Sequence, residues 1–515
     1  MQLNVEDFDV VVIGGGPGGS TAATLLAMQN HRVLLLERDK FPRYQIGESL
    51  LPATIHGICK ILGLSEELKK AGFVRKLGGS FRWGINPEPW TFAFSTATTI
   101  AAPNAYAYQV ERSKFDNLLL RNAAQNGVDV REQHSVKDVL FESGRACGVE
   151  FVDDSGNVRK ATTKYIIDAS GNQSHVYKKV GERIYSKFFQ NLALFGYYEN
   201  AGRFPPPSEG NIFCAAFNEG WFWFIPLSDT LTSVGAVVSK EYADVLKGGH
   251  EDAMKQFIGS CPEIARLLAN AQRVTEGVYG QLRVRKDYSY SNERFWAPGL
   301  VLVGDAACFI DPVFSSGVHL ATYSALLAAR SINSILSDGM DETRCFEEFE
   351  KRYRREFSNF YEFLAAFYDM HQNEESYFWK ARKVLNSKWS ADEAFVSLVA
   401  GVSNMEDEAL SLNNPQIERI KGELQQLSQP ENDEENAAPY YAGEKDAFLD
   451  VLVEEAVQIQ TQASAGSKRG AEKPLFKGGL IPSADGFRWQ EVTSTSLPLS
   501  REGLTDPPQL STHNT

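Results

Sequence analysis

The stretch FDVVVIGGGPGGSTAATLLAMQNHRVLLLE occupies residues 8–37. Its first six residues are almost continuously apolar, as in a parallel strand that is buried on both faces. A glycine-rich turn follows, then apolar residues at helical spacing, and then a second apolar strand that ends at Glu37. This order predicts a βαβ unit and therefore an α/β fold with a Rossmann-type parallel sheet.

The turn of this unit carries the pattern Gly14-x-Gly16-x-x-Gly19 between a strand and a helix, the context in which the pattern binds a dinucleotide. Gly14 allows the tight turn, Gly16 lets the backbone approach a pyrophosphate, and Gly19 lets the helix pack closely on the strand. Gly18 lies in the same turn and is assigned to the same site. Glu37, about 20 residues on, is placed to accept hydrogen bonds from the ribose of an adenosine. We therefore predict a dinucleotide whose pyrophosphate lies at the helix N-terminus.

The composition is that of a globular protein, since 43% of the 515 residues are hydrophobic and 23% are charged. The formal net charge of -14 argues against nucleic acid as a partner, because phosphate backbones are bound by clustered Lys and Arg. Six cysteines without metal-ligand spacing indicate free thiols in a reducing compartment and no metal site. The acidic N-terminal residues and the lack of any run of about 18 apolar residues predict no signal peptide, no membrane span and a cytoplasmic location.

The pattern along the chain predicts two interleaved domains followed by a helical region. Alternating residues indicate antiparallel strands in two stretches, and the buried strands of the Rossmann-type domain come before and after them. Towards the C-terminus the sequence is acidic and then rich in Ser, Gly, Pro and Thr, which is typical of disorder. We assign residues 1–190 and 275–340 to the dinucleotide-binding domain, 79–110 and 190–275 to a β-rich antiparallel-sheet domain on the substrate side, 341–428 to a C-terminal helical region, and 429–515 to a largely disordered tail.

Two later motifs indicate which dinucleotide is bound. GDAA at residues 304–307 follows a buried strand and precedes the dipeptide DP at 311–312, and VERSKFD at 110–116 opens a helix. In this order they resemble the second flavin motif and the arginine segment of the FAD-dependent monooxygenase superfamily. The resemblance implies that FAD is bound rather than NAD, that Asp305 binds the ribityl chain, and that Arg112 approaches the flavin.

The stretch GWFWFIP at residues 220–226 resembles the WxWxIP signature of the flavin-dependent halogenases. On a strand, alternation places Trp221 and Trp223 on one face and the two phenylalanines on the other. The resemblance implies that the two indoles keep organic substrate away from the flavin, so that the flavin hydroperoxide meets halide instead. An aromatic strand of the hydrophobic core is the alternative interpretation.

Lys76 lies in FVRKLGG at residues 73–79, which matches the halogenase lysine in order and in the glycines that follow it. A buried lysine loses proton affinity from a reference pKa of about 10.4 and then acts as a nucleophile or a positioned donor. The resemblance implies that Lys76 captures hypohalous acid, as a chloramine or through hydrogen bonding, and delivers the halogen to an arene. A solvated loop lysine is the alternative.

The segment FPRYQIGES at residues 41–49 resembles the strap that crosses the flavin in the same family. The resemblance places Arg43, Ile46 and Ser49 near the cofactor. These residues are therefore assigned to cofactor binding.

The segment DPVFSSGV at residues 311–318 resembles the halide site of the family. The backbone N–H groups of Ser316 and Gly317 would hold chloride at a helix N-terminus, where anions are favoured. Within this segment the resemblance assigns Pro312 and Val318 to cofactor binding. It assigns Ser315 to the catalytic residues, together with Lys76 and the two tryptophans.

One residue of this segment departs from the tryptophan halogenases, which carry Glu just before the serine where this chain has Phe314. That Glu helps to polarise the attack on an unactivated indole position, so its absence favours an already activated ring. Phenols and pyrroles are such rings, and halogenases without this Glu often resemble the enzymes of nonribosomal peptide and polyketide pathways. We expect a tyrosine-derived phenol, bound to an acyl or peptidyl carrier protein.

Several cationic residues follow on the predicted C-terminal helices, and two hypotheses account for them. They form a solvated helix face or a docking patch for an acidic carrier protein. The residues are Lys351, Arg352, Arg354 and Arg355, followed by Lys380, Arg382, Lys383 and Lys388. His319, near the predicted halide site, is expected to be a packing residue.

The resemblance implies a halogenase that receives reduced FAD from a partner flavin reductase and uses O2 and chloride as co-substrates. Two alternatives remain open from the sequence. One is a flavin monooxygenase or a reductase resembling the geranylgeranyl reductases, which share the FAD motifs. The other is a non-catalytic flavoprotein that binds a carrier domain as a scaffold.

Overall fold

The computed structural model describes residues 5–83, 89–96, 104–369, 474 and 478–491. The strands in these residues are β1 Glu6–Ile13, β2 Val33–Leu36, β3 Val74–Lys76, β4 Gly78–Arg82, β5 Trp90–Ala93, β6 Ala107–Gln109, β7 Asp129–Arg131, β8 Ser135–Glu142, β9 Arg145–Val152, β10 Val158–Asp168, β11 Arg183–Glu199, β12 Ile212–Phe217, β13 Gly220–Pro226, β14 Leu231–Ser239, β15 Gln272–Arg273, β16 Arg283–Asn292, β17 Trp296–Ala297, β18 Leu300–Leu302, β19 Cys308–Phe309, β20 Ile481–Pro482 and β21 Trp489–Gln490. The helices are α1 Pro17–Ala27, α2 Cys59–Ile61, α3 Ser65–Lys70, α4 Arg112–Gln125, α5 Ala243–Lys247, α6 His250–Gly259, α7 Pro262–Leu267, α8 Ser316–Asp338 and α9 Glu342–Asp369.

The first sheet has the strand order β17-β18-β10-β1-β2-β7, and β18, β10, β1, β2 and β7 run parallel. Val10 and Val12 of β1 are fully buried and belong to the main core with residues of α1, α4 and α8. Val11 points to the opposite face, which the β8–β9 hairpin covers. The apolar run at the start of the chain is therefore buried on both faces, and the Rossmann-type prediction is confirmed.

The glycine turn allows β1 and α1 to approach each other closely. A Cβ atom on Gly19 would lie 1.9 Å from the carbonyl oxygen of Gly14. Gly14 itself has a φ of 99°, a conformation that L-residues rarely adopt. Both glycines are therefore required by the backbone, as the sequence pattern predicts.

The second sheet has the order β19-β16-β11-β14-β13-β12-β4-β5 and is antiparallel except for the parallel pair β12 and β4. Along β13, Trp221 and Trp223 belong to the main core, whereas Phe222 and Phe224 pack in a separate cluster with residues of α5, α6 and α7. The predicted alternation of the WFWF stretch is thus present. Both faces of the strand are covered, because helices shield one face and the first domain shields the other.

The predicted domain boundary at residue 275 is wrong. Strand β16 continues the antiparallel pairing with β11, from Arg283 opposite Phe195 onwards, and β19 pairs with β16 in turn. The chain re-enters the first sheet only at β17 and β18. The pattern of alternating residues could not locate this crossing, because a strand pairs with whichever neighbour the tertiary fold supplies.

Two arginines of the predicted docking patch are buried in α9. Arg352 pairs with Glu348 at 2.5 Å and donates to the carbonyl of Leu480. Arg354 pairs with Glu350 at 2.6 Å, and its guanidinium lies 4.0 Å from the ring of Phe295. The docking-patch hypothesis is therefore wrong for these two residues, since neither is available to a partner. Lys380, Arg382, Lys383 and Lys388 lie outside the described residues.

The predicted disordered tail contains an ordered hairpin at residues 478–491, where β20 and β21 pair antiparallel. The rest of the tail, and the predicted helical stretch beyond residue 369, lie outside the described residues. The hairpin docks on α8 and α9 through Trp489, which is 2% exposed and donates its indole N–H to the hydroxyl of Ser331 at 2.9 Å. The guanidiniums of Arg330 and Arg352 lie 4.7 Å and 5.0 Å from its ring. Burial of this one tryptophan thus orders the hairpin, although the composition of the surrounding tail is typical of disorder.

Among the described residues, no helix is long and apolar enough to span a membrane. No cluster of three or more His, Cys, Asp and Glu side chains in this part of the chain has the arrangement of a metal site.

Replacing Trp489 with alanine is expected to lower the free energy of unfolding by about 3–5 kcal/mol, because a large buried side chain leaves a cavity and two arginines lose their ring contact. Urea unfolding followed by circular dichroism measures the change. Gln490→Ala is the matched control, since Gln490 is exposed on the same strand. Equal stability of the two variants would show that the hairpin does not dock in solution.

Candidate active site and cofactor cavity

A cavity of about 1170 Å³ lies between the two sheets. Its volume exceeds that of a typical small-ligand pocket, which is about 300–1,000 Å³. The cavity extends from the glycine turn to the start of α8. The predicted site residues that line it are Gly14, Gly16, Gly18, Glu37, Arg43, Ile46, Ser49, Arg112, Trp221, Trp223, Asp305, Pro312, Ser315, Gly317 and Val318. The remaining three, Gly19, Lys76 and Ser316, are buried and do not line it.

Glu37 shapes the glycine-turn end of the cavity. One carboxylate oxygen accepts the backbone N–H of Gly15 at 2.6 Å and the other accepts that of Asp39 at 2.8 Å. Helix α1 begins directly after Gly16, so its first N–H groups face the cavity. This arrangement fits the pyrophosphate and ribose of a dinucleotide, as the sequence predicts.

Asp116 ties the strap at residues 43–49 to α4. It is fully buried and pairs with Arg112 at 2.7 Å and with Arg43 at 3.0 Å. Arg112 also donates to the carbonyls of Ile46 at 2.6 Å and Gly47 at 3.2 Å. All three guanidinium nitrogens of Arg112 thus donate to protein groups. Although Arg112 lines the cavity, its main contacts hold the strap in place. Asp116 belongs to the VERSKFD segment, but no sequence pattern indicated that it bridges two arginines.

Asp305 lies at the end of β18, beside the middle of the cavity. Burial raises its pKa, and the nearby guanidiniums of Arg285, Arg112 and Arg183 oppose that rise. Arg285 and Arg183 also line the cavity, and sequence analysis missed both. No motif marks them, because each is brought to Asp305 by the pairing of strands distant in sequence.

The halide-like segment folds as a capped turn that leads into α8. Asp311 accepts the backbone N–H of Val313 at 3.2 Å, and Ser315 adopts a left-handed conformation with a φ of 60°. Asp311 also accepts hydrogen bonds from Asn191 and Tyr368, each at 3.0 Å, and burial raises its pKa to about 6. The turn is thereby held against β11 and α9. The N–H groups of the first residues of α8 are free of intrahelical partners there, as at any helix start.

Lys76 is only 2% exposed, and its ammonium nitrogen contacts groups from two segments. Nζ lies 2.9 Å from the hydroxyl of Ser49, 3.0 Å from the carbonyl of Leu50 and 3.4 Å from the hydroxyl of Ser315. Among the described residues no carboxylate pairs with it, and burial lowers the pKa of Lys76 to about 7. The solvated-lysine alternative is therefore wrong, since the side chain is a buried amine that is half neutral near physiological pH.

The two tryptophans form part of the cavity wall on β13. Their ring centroids lie 6.2 Å apart, and the indole N–H of Trp223 donates to the hydroxyl of Ser233 at 3.2 Å. Trp223 lies against Gly235, where a Cβ atom would come within 2.3 Å of the indole ring. The glycine on β14 therefore leaves the room that the indole occupies.

Two further residues lie near the site. His319, expected to be a packing residue, is 1% exposed, and its Nε2 lies 2.7 Å from a carboxylate oxygen of Glu356 on α9. Glu48 was not singled out in the sequence, yet it is buried in the cavity wall beside Ser49. Burial raises the pKa of Glu48 to about 7, against hydrogen bonds from Ser233 and Tyr197 that lower it.

Comparison with known proteins identifies the family. A family model described as tryptophan halogenase matches residues 9–102 and 95–416. A tryptophan 2-halogenase of Chondromyces crocatus is 34% identical over 410 residues, which cover 77% of this chain and 76% of that protein.

Solved structures of similar proteins point to the same family. The myxobacterial chondrochloren halogenase CndH, a variant of FAD-dependent halogenases, is 54% identical with a TM-score of 0.75, and the match covers 94% of this chain and 100% of CndH. The flavin-dependent halogenase CmlS is 29% identical with a TM-score of 0.74, over 97% of this chain and 87% of CmlS. With the matched family model, these relatives show that the chain belongs to the flavin-dependent halogenases, enzymes that use FAD.

Proposed function

We propose that this enzyme chlorinates an electron-rich aromatic ring, using reduced FAD, O2 and chloride, and that the ring is a tyrosine-derived phenol presented by a carrier protein. The observation that carries the proposal is the position of Lys76. Its amine touches Ser49 and Ser315, both of which line the cofactor cavity, but Lys76 itself is not one of the lining residues. This arrangement suits a residue that receives a small oxidant from the cavity and passes it on.

The residues of the cavity have distinct roles in this proposal. Bound FAD, once reduced by a partner flavin reductase, would supply the electrons that reduce O2 to the peroxide level, and that oxygen would oxidise the halide. Ser316 and Gly317 present backbone N–H groups at the start of α8, where the helix dipole favours chloride. Trp221 and Trp223 close the cavity to larger molecules, so that only a small oxidant passes.

Lys76 completes the halogen transfer. Its neutral amine reacts with hypochlorous acid to form an N–Cl bond and release water, or holds the acid by hydrogen bonds. The ring then takes the chlorine, loses a proton and leaves the amine free again. The depressed pKa of Lys76, caused by burial, keeps a substantial fraction of the amine neutral near pH 7.

The choice of ring rests on Phe314, which occupies the place of the Glu found in tryptophan halogenases. A phenol needs no such carboxylate, because its own oxygen activates the ring. The names of the relatives leave tryptophan as the competing substrate, since the Chondromyces crocatus relative is a tryptophan 2-halogenase, whereas the more similar CndH is a chondrochloren halogenase. Tryptophan is therefore the comparison that the experiment must include.

The first experiment is mass spectrometry of a carrier-loaded tyrosyl substrate, free tyrosine and free tryptophan, each incubated with enzyme, FAD, flavin reductase, NADH, O2 and chloride. Lys76→Ala is expected to lower chlorinated product by about 100-fold or more, because the halogen carrier is lost. NADH consumption should persist, since Lys76 does not line the cavity.

Lys60→Ala is the matched control, because Lys60 is an exposed lysine. A gain of oxygen without halogen would favour the monooxygenase alternative, and binding of carrier without any turnover would favour the scaffold alternative. Chlorination of tryptophan but not of tyrosine would overturn the proposed substrate.

The rate of chlorination is expected to rise with pH and to level off above about pH 7. Protonation of Lys76 below its lowered pKa of about 7 removes the lone pair that attacks the oxidant, so the rate should fall about tenfold per pH unit there. Initial rates measured by mass spectrometry between pH 5.5 and 8.5 (roughly one and a half units on each side) test this dependence. A rate that falls as the pH rises through 7 would contradict the role of a neutral amine.

Gly235→Ala is expected to uncouple the reaction. The added Cβ would meet the indole of Trp223 at 2.3 Å, so the ring must move and the wall between cavity and substrate opens. The ratio of hydrogen peroxide to chlorinated product should increase several-fold. Gly259→Ala is the control, because nothing lies within 4 Å of a Cβ at that exposed position. An unchanged ratio would show that Trp223 does not guard the cavity.

A further inference from the structure

The reaction proposed above consumes a proton in every turnover. Its balance is ArH + Cl⁻ + H⁺ + O2 + FADH2 → ArCl + FAD + 2 H2O. A cavity that keeps hypohalous acid away from bulk water must therefore still admit protons. The inference that follows rests on this proposed function and concerns how the proton arrives.

A chain of hydrogen bonds runs from the wall of the cavity to a partly exposed side chain. The hydroxyl of Tyr197 donates to a carboxylate oxygen of Glu48 at 2.7 Å. The hydroxyl of Tyr44 lies 2.9 Å from that of Tyr197 and is the donor of this pair when Tyr197 donates to Glu48. Glu48 is 2% exposed and Tyr197 is fully buried, whereas Tyr44 is only partly buried. Tyr44, which also lines the cavity, is thus the least buried member of the chain.

Glu48 and its neighbour Ser49 both line the cofactor cavity, and the hydroxyl of Ser49 also contacts Lys76. The two residues are consecutive in an extended segment that pairs with β6, through Ser49 opposite Gln109 and through the carbonyl of Glu48, which accepts the N–H of Val110. The strap therefore carries an ionisable carboxyl directly beside the hydroxyl that accepts the hydrogen bond of Lys76.

We infer that Glu48 exchanges protons with the chemistry of the cofactor cavity, and that Tyr197 and Tyr44 carry those protons between Glu48 and solvent. In the inward direction Tyr44 takes a proton from water and passes its own proton to the oxygen of Tyr197. Tyr197 passes its proton to the carboxylate of Glu48 in the same event. Each phenol ends neutral, and one proton has entered the cavity wall.

The charges around the chain agree with this direction of transfer. Burial raises the pKa of Tyr44 to about 12 and that of Tyr197 well above its usual value, so neither phenol ionises on the way. Burial also raises the pKa of Glu48 to about 7, which suits a group that both takes up and releases protons near neutral pH. The titratable and charged groups that face the chain are Glu111 and Arg112 at the start of α4, Tyr279 in the turn before β16, and Arg283 and Arg285 of β16.

A variant at Tyr279 distinguishes a role in proton transfer from a role in packing. Its ring lies 4.2 Å from that of Tyr197, centroid to centroid, so it packs on the chain as closely as a member would. Its hydroxyl, however, donates to Glu111 at 2.8 Å and not to the chain. Tyr279→Phe therefore removes a hydroxyl from the same aromatic cluster and leaves every hydrogen bond of the chain in place.

Infrared titration of the protein without cofactor tests the carboxyl group directly. The wild type is expected to show a protonated-carboxyl band that titrates near pH 7, and Glu48→Gln should lack it. Tyr197→Phe should move the titration to higher pH, because the anion loses a hydrogen-bond donor. A band that is unchanged in Glu48→Gln would overturn the inference, whatever the enzyme halogenates.

Chlorination rates of variants test whether protons move along Tyr44, Tyr197 and Glu48. Glu48→Gln is expected to lower the chlorination rate about 100-fold, and Tyr44→Phe and Tyr197→Phe about tenfold each, with loss of the solvent deuterium isotope effect. Tyr279→Phe should keep the wild-type rate and isotope effect within about twofold. Equal losses in Tyr279→Phe and Tyr44→Phe would show that the tyrosines only position the strap.

The two proposals fail in distinguishable ways. If the wild type yields no halogenated product from any ring, the proposed function fails, but the infrared titration still reports on Glu48. If chlorination is normal in Tyr44→Phe and the isotope effect is retained, the path fails while the proposed function stands. Circular dichroism of each variant verifies that it is folded.

Discussion

The site is organised around one amine that is buried without a counter-ion. Placing a charged ammonium in a protein interior costs several kcal/mol unless an anion lies beside it. The described surroundings of Lys76 offer two hydroxyls and a carbonyl instead, and burial lowers its pKa to about 7. Because one hydroxyl comes from the strap and the other from the turn before α8, the amine also fixes the distance between these two segments. The proposed halogen carrier and the tie between the two segments are thus the same side chain.

The strap depends in turn on a second unusual charge arrangement. Asp116 balances two arginines, Arg43 and Arg112, and Arg112 reaches two carbonyls of the strap as well. A backbone segment with no regular secondary structure is therefore held from the α4 side by charge-assisted hydrogen bonds and from the β6 side by backbone pairing. This rigidity holds two consecutive side chains of the strap in place, Glu48 against Tyr197 and Ser49 against Lys76.

The sequence predicted those parts of the fold that depend on local pattern. The β1–α1–β2 unit followed from an apolar run, a glycine turn and Glu37, and the two faces of β13 followed from simple alternation. The family resemblance pointed to Lys76, but only the structure showed that it is buried. Arg183, Arg285 and Asp116 escaped notice because strand pairing and helix packing bring them to the site from distant positions. The docking-patch prediction was wrong for Arg352 and Arg354 for a related reason. A helical pattern does not show which charged residues pair with an acidic neighbour in the core and which face water.

The hairpin of β20 and β21 bears on how the protein is made. The described residues of helices α8 and α9 end at residue 369, yet the tryptophan that packs against both helices comes more than a hundred residues later in the chain. At ribosomal speeds of about 5–20 residues per second, this interval lasts several seconds or more. During it the nascent chain lacks the indole ring that the guanidiniums of Arg330 and Arg352 contact. Docking of the hairpin is therefore a late folding step, which can begin only after residue 489 has been synthesised.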